Sequence, residues 1–321
     1  MKRSDFFKLA AGAGLGLEAL LDKGLEASVQ NKPGPLPRRP LGRTGEHLSI
    51  IGFGGNIIKG EGQPEASRMI REAYEQGINF FDIAPEYGNA EDLMGEPLKP
   101  LRKEVFLACK TARRNAAGSR QELETSLKKL RTDYFDLYQL HHIMSKEDID
   151  TAFGPGGAME TLVRAKEKGM ARFLGFSAHT VEAAFAAMER FDFDTIMFPI
   201  NYISVFKGNF GPQVIEKARQ KGMGILAIKP GARCPRTRGE ERTYRKCWYR
   251  PFKTMEEISA SYSYTLSFPV TLALAPQEEA LHKMAVEAAK SFIPLSDSER
   301  EALKAAAERE STLFSYPGWR G

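Results

Sequence analysis

The 321-residue chain is poor in cysteine, histidine and tryptophan, and it holds no long uninterrupted apolar run. Its three cysteines, Cys109, Cys234 and Cys247, are too few and too scattered for a disulfide framework or a thiolate metal site, so no metal is expected. Cys109 lies in an apolar run and reads as a core residue. Cys234 and Cys247 share a polar loop, where a disulfide in an exported protein and two free thiols both stay open. No stretch approaches the roughly 18 apolar residues of a membrane span. Charge of one sign is also scarce. The 46 Lys and Arg nearly balance 41 Asp and Glu, and the excess of +5 is not drawn out as a stripe, which argues against a nucleic-acid partner. An early G-x-G-x-x-G turn is missing: Gly52-Phe53-Gly54-Gly55 is rich in glycine but has other spacing.

The chain does have a 42% share of hydrophobic residues, enough for a packed core. From residue 48 onward, short apolar runs alternate with amphipathic stretches. The runs are 48–53, 78–84, 105–110, 135–141, 172–177, 195–201, 224–229 and 270–275. They are rich in β-branched and aromatic residues and apolar on both faces, as parallel strands buried on both sides must be. Helical patterns fall at 64–76, 119–130, 158–168, 181–189, 212–221, 255–264 and 277–290, with one more helix at 297–308 that Ser296 or Asp297 caps. Eight β-then-α units predict an α/β chain folded as a (β/α)8 TIM barrel. The turn Pro40-Leu41-Gly42-Arg43-Thr44-Gly45 reads as a hairpin plugging the barrel bottom, and the last helix as an extra C-terminal one. The barrel domain is expected over 35–321. Residues 1–34 stand apart: Lys2-Arg3, Phe6-Phe7-Lys8 and a small-residue run are similar to a twin-arginine export signal. An ordinary N-terminal extension is the alternative. The first reading implies a periplasmic protein, the second a cytoplasmic one.

In such a barrel, chemistry sits at the C-terminal ends of the strands. The polar residues expected there are Asp82 with Tyr87 in the following loop, Lys110, His141 and His142, Ser177, Asn201 and Lys229. A phenol is a poor acid at neutral pH, and a nearby ammonium eases its proton release. Asp82 would neutralise and orient Lys110, which is otherwise a costly unpaired charge. His141 can hydrogen-bond a carbonyl oxygen. Hydride attack on a carbonyl carbon leaves an oxyanion that Tyr87 protonates and Lys110 and His141 stabilise. No side chain supplies hydride, so a cofactor must. Adjacent strand residues point to opposite faces, so His142 is expected outside the pocket or in a loop. His179 caps the following helix or lines the pocket, the cap being the expected role, and Trp248, Tyr249 and Phe252 line a substrate pocket or close a loop onto the core, the second being the commoner case.

The segment Asp82-Ile83-Ala84-Pro85-Glu86-Tyr87-Gly88 resembles the D-x-A-x-x-Y-G motif of the aldo-keto reductases. Lys110 closes the third strand as that family's lysine does, and Asp136-Leu137-Tyr138-Gln139-Leu140-His141 is similar to its D-L-Y-x-x-H strand. Gly175-Phe176-Ser177, Leu41-Gly42-Arg43-Thr44-Gly45 and Gly52-Phe53-Gly54 match further segments, in order. The resemblance spans roughly 38–303. It implies a carbonyl reductase with Tyr87, Lys110, Asp82 and His141 as the catalytic set, a small-molecule carbonyl substrate, and NADPH as cofactor with NADH open. A nucleotide-binding regulatory subunit on the same barrel is the rival. Gly54, Ser177, Asn201, Lys229 and Arg233 are the candidate cofactor contacts. The family's Ser-Asn pair is Ser177-Ala178 here, its strand-six glutamine falls near Met197, and Lys229-Pro230-Gly231 stands where an aromatic residue often does. The 231–250 loop is rich in arginine, including Arg233 and Arg236, and either clamps phosphate or is a solvated basic loop.

Overall fold

The computed structural model describes residues 36–316, so the N-terminal segment 1–34 lies outside the described residues. The chain enters as a hairpin of β1 (Arg38–Pro40) and β2 (His47–Ser49). There follow β3 (Ile51–Gly54), α1 (Gln63–Glu75), β4 (Phe80–Asp82), α2 (Ala90–Leu98), β5 (Phe106–Thr111), α3 (Ala116–Lys129) and β6 (Phe135–Ile143). The middle of the chain supplies α4 (Lys146–Phe153), α5 (Ala158–Glu167), β7 (Ala171–Ala178), α6 (Val181–Arg190), β8 (Thr195–Pro199), α7 (Tyr202–Gly208), α8 (Pro212–Gln220) and β9 (Gly224–Ile228). Last come β10 (Ala232–Cys234), β11 (Arg250–Pro251), α9 (Met255–Leu266), β12 (Leu272–Leu274), α10 (Glu279–Lys290) and α11 (Asp297–Ala307). Strands β3 to β9 and β12 close a parallel barrel, as the alternating pattern predicts.

Both faces of each strand are covered, which is why the runs are apolar without alternation. Inside, Phe80, Phe106, Leu137, Leu226 and Leu272 pack with Leu41 and Leu48 from the hairpin. Phe106 stacks on Phe80 at 5.8 Å and on Phe173 at 6.2 Å. Outside, Phe53, Phe81, Tyr138 and Phe176 pack under the helices. Each such side chain contributes roughly 1.5–3 kcal/mol on burial. The hairpin seals the base because Gly42 has no side chain: at φ +51 a Cβ there would lie 2.3 Å from the Gly224 nitrogen.

Three differences from the sequence pattern have local causes. The expected strand 48–53 breaks in two, with the Ser49 hydroxyl donating to the Ile51 carbonyl at 2.8 Å. Helices α2, α4 and α7 are short and lie in stretches read as loop. The expected strand end 200–201 is instead the approach to α7, capped by Asn201. Elsewhere local signals hold: Ser296 with Glu299 forms a capping box at the start of α11. All three cysteines are free and buried.

On α10, His282 is buried edge-on against Phe53, with ring centroids 5.4 Å apart and Nδ1 without a hydrogen-bond partner. Burial pushes its pKa down to about 4. The unfolded chain takes up this proton near pH 6.5 and the folded chain only near 4, so stability present above 6.5 is lost as pH falls through that window. The thermal midpoint of His282→Phe should therefore fall less steeply from pH 6.5 to 4.5 than that of the parent. Equal slopes would show that His282 does not carry this acid sensitivity.

Candidate active site

A cavity of about 400 Å³ opens at the C-terminal ends of the strands. Asp82 ends β4, and Lys110 points inward from β5, both fully buried. Lys110 Nζ donates to Asp82 Oδ1 at 2.5 Å, to Oδ2 at 2.6 Å and to the Ile83 carbonyl at 3.1 Å. In so low a dielectric neither charge tolerates loss of the other. Burial alone would lower the Lys110 pKa, but the carboxylate outweighs it and the ammonium is held. The Tyr87 hydroxyl sits 3.5 Å from the same Nζ. Its loop is turned by Gly88 at φ +63 and by the Tyr87 amide donating to the Ala84 carbonyl at 3.0 Å.

Here the balance differs from the expected one. Burial pushes the phenol pKa up to about 12, against the opposing pull of Lys110. Tyr87 therefore keeps its proton at neutral pH. The His141 ring meets Tyr87 edge-on at 6.1 Å. Burial outweighs Glu86 and brings the imidazole pKa down to about 4, so the ring is neutral. Glu86 Oε2 lies 2.7 Å from Nδ1. Glu86 was not singled out from the sequence, although it stands one place before Tyr87.

His142 departs from strand alternation. The β6–β7 register shifts between Leu140 and Ile143, and His142 takes φ +57, so it faces the cavity beside His141. Its amide donates to the Ser177 hydroxyl at 2.7 Å. His179 is also corrected: Thr180 caps α6, accepting from the Ala183 amide, and His179 lines the cavity. The His142 and His179 rings are 4.5 Å apart. His179 Nε2 lies 2.6 Å from Lys229 Nζ, and Lys229 itself adopts φ +60 at the end of β9. Its Nζ lies 5.6 Å from the Trp248 ring centroid and 5.4 Å from that of Phe314. Trp248 and Tyr249 thus line the cavity, while Phe252 stacks on Tyr202 in the core at 5.6 Å.

Of the expected cofactor contacts, Gly54, Ser177 and Lys229 line the cavity. Asn201 does not: its Oδ1 accepts from the Ser204 amide at 2.9 Å, capping α7, and its Nδ2 donates to the Lys229 carbonyl at 3.3 Å. Arg233 does not either, because it pairs with Glu310 at 2.8 Å and Glu257 at 3.3 Å. Arg236 donates to the Tyr244 and Cys247 carbonyls, and Arg250 to Glu240. The loop's basic contribution to the cavity wall is Lys246, itself 2.6 Å from Glu61. Asn56, unread in the sequence, also lines the cavity, with its Oδ1 buried and unpartnered while Nδ2 donates to Gln277 at 2.8 Å. No helix among the described residues is long and apolar enough to cross a membrane.

Residues 50–292 match the Aldo/keto reductase family, and the chain belongs to it. The chain is 28% identical over 210 residues to an L-galactose dehydrogenase of Arabidopsis thaliana, covering 60% of this chain and 64% of that protein. It is 38% identical over 117 residues to the aldo-keto reductase YhdN of Bacillus subtilis, covering 30% of this chain and 35% of that one. The chain thus spans less than two thirds of the length of these curated relatives. An aldo-keto reductase structure from Bacillus halodurans shares the fold, with a TM-score of 0.69 at 23% identity over 88% of this chain and 99% of that one.

Proposed function

We propose that this chain reduces the carbonyl group of an aldehyde or ketone with hydride from a nicotinamide cofactor, Tyr87 acting as general acid. The observation that carries the reading is the buried Lys110–Asp82 pair set against the Tyr87 hydroxyl, with neutral His141 alongside in the same cavity. The cavity wall also suits the cofactor. Asn56 Oδ1 is a buried acceptor without a donor, Gly54 leaves open space beside it, and Met197 and Ile228 supply an apolar wall. Gly54, Asn56 and Ser177 would hold the nicotinamide end, with Lys246 the nearby cation. When bound, the cofactor supplies the hydride. NADPH is the proposed form and NADH the alternative.

The chain's own groups handle the proton. The substrate's carbonyl oxygen accepts hydrogen bonds from the Tyr87 hydroxyl and the His141 ring. Burial keeps the phenol protonated until negative charge develops on that oxygen. The proton then passes across, and the phenolate left behind is stabilised by the Lys110 ammonium, which Asp82 holds charged. His141 stays neutral throughout the physiological range and serves as a hydrogen-bonding group rather than a cation. The name of the Arabidopsis relative makes an aldose the first substrate to try.

Fluorescence titration with NADPH and NADH, followed by cofactor oxidation against a panel of aldehydes and aldoses, tests this. Saturable binding with turnover is the expected result. Binding without turnover on any carbonyl would favour the regulatory rival, and no binding of either cofactor would overturn the reading.

A further inference from the structure

We propose that Lys229 is a nucleophilic amine that condenses with aldehydes and ketones as an imine, and that His179 is the base serving it. This activity shares the carbonyl-accepting cavity with the reading above but needs no cofactor.

The three lysines near the cavity are in different states. Lys110 is locked by both oxygens of Asp82. Lys246 faces Glu61. Lys229 meets no carboxylate among the described residues. Its Nζ is within hydrogen-bond distance of His179 Nε2 and is otherwise walled by the rings of Trp248 and Phe314. The other titratable groups lining this cavity are Tyr87, Asp82, His141, His142, Tyr249 and Tyr262. Of these, only Asp82 is a carboxylate, and both its oxygens are taken. An ammonium without a counter-ion is costly in such surroundings, whereas a free amine is not. Burial accordingly lowers the Lys229 pKa to about 7. Desolvated lysines of this kind act as carbonyl nucleophiles.

The hydrogen-bond geometry fits a free amine. An N–H given to His179 Nε2 leaves the nitrogen lone pair to face the cavity. His179 is held neutral by burial first and by Lys229 next, and its Nδ1 is buried without a partner. Its neutral Nε2 therefore accepts that N–H and is the ring atom nearest the amine. The left-handed backbone at Lys229, φ +60, is a conformation that a non-glycine residue rarely adopts and that clusters at functional sites.

The chemistry balances without a further reagent. The Nζ lone pair forms a C–N bond to the carbonyl carbon while the C=O electron pair moves to oxygen, and the nitrogen then gives one proton, through His179 Nε2, to that oxygen. A second proton, from solvent, lets the oxygen leave as water with the C–O electron pair, as the freed nitrogen lone pair closes the C=N bond of the iminium. An α-hydrogen of the iminium passes to His179 Nε2, and the C–H electron pair forms the enamine. Reversal returns a proton from solvent to the carbon. The substrate class is therefore a carbonyl compound with an α-hydrogen, such as a hydroxyaldehyde or hydroxyketone.

The full chain would be incubated with dihydroxyacetone in D2O without cofactor, and loss of the α-proton signal followed by NMR. A parallel sample would be treated with borohydride and mapped by peptide mass. We expect one reduced adduct, on Lys229, and deuterium exchange that falls at least a hundredfold in Lys229→Arg. In His179→Gln, exchange should slow at least tenfold while trapping at Lys229 persists. Peptide mapping of the parent protein decides the site even if a variant fails to fold. Adducts confined to surface lysines or to Lys110, or exchange unchanged in Lys229→Arg, would overturn the proposal. Turnover of the cofactor without trapping would sink the imine and leave the reductase; trapping without turnover would do the reverse.

Discussion

Tyr87→Phe should cost about a thousandfold in kcat, within the range assigned to a positioned acid, while cofactor affinity stays within about twofold. The substitution removes one oxygen from a ring that is otherwise packed against the core and His141. Folding should be little affected. The neutral hydroxyl oxygen lies 3.5 Å from the Lys110 Nζ, so the phenolate left when its proton passes to the developing oxyanion has a cation beside it. Steady-state rates with the best carbonyl, alongside cofactor titration, measure both halves. A loss below tenfold would move the acid's role to another group, His141 first.

The second large effect concerns the buried ion pair. Lys110→Met leaves the buried Asp82 carboxylate without its counter-charge, at a cost of about 3–5 kcal/mol. For a chain of this size that is roughly a 10 °C drop in Tm. Activity should be lost as well, since the phenolate loses its stabilising cation. Pairing that change with Asp82→Leu removes both charges. The double variant should regain most of the lost Tm and remain inactive. Calorimetry with parallel assays separates the two roles. A double variant no more stable than Lys110→Met would mean that packing rather than charge sets the penalty.

Much of this was legible from the residues. The eight apolar runs, the six helical patterns between them and the two that follow the last run fall on strands and helices to within a few residues, because burial on both faces marks the strands and amphipathic spacing the helices. The short helices α2, α4 and α7 were not legible. They are held by their neighbours: α2 carries Gly95 and Pro97, and Gly95 fits because a Cβ there would lie 2.4 Å from the Lys129 carbonyl. The structure brings Asp82, Tyr87, Lys110 and His141 together, as strand-end logic expects. It does not bring in Asn201 or Arg233, whose local duties as a helix cap and an ion-pair member take precedence. His142 was misplaced because period-two alternation assumes regular backbone, and a register shift with a left-handed residue breaks it. The Lys229–His179 contact joins residues fifty positions apart and left no local trace.

The sealed base also governs traffic. With Leu41 and the Gly42 turn closing the floor, the cavity is entered from the rim that carries half-exposed Trp248. Whatever enters first lies deepest and leaves last. Two ligands that must meet there can only queue, and the departure of the deeper one waits on the shallower.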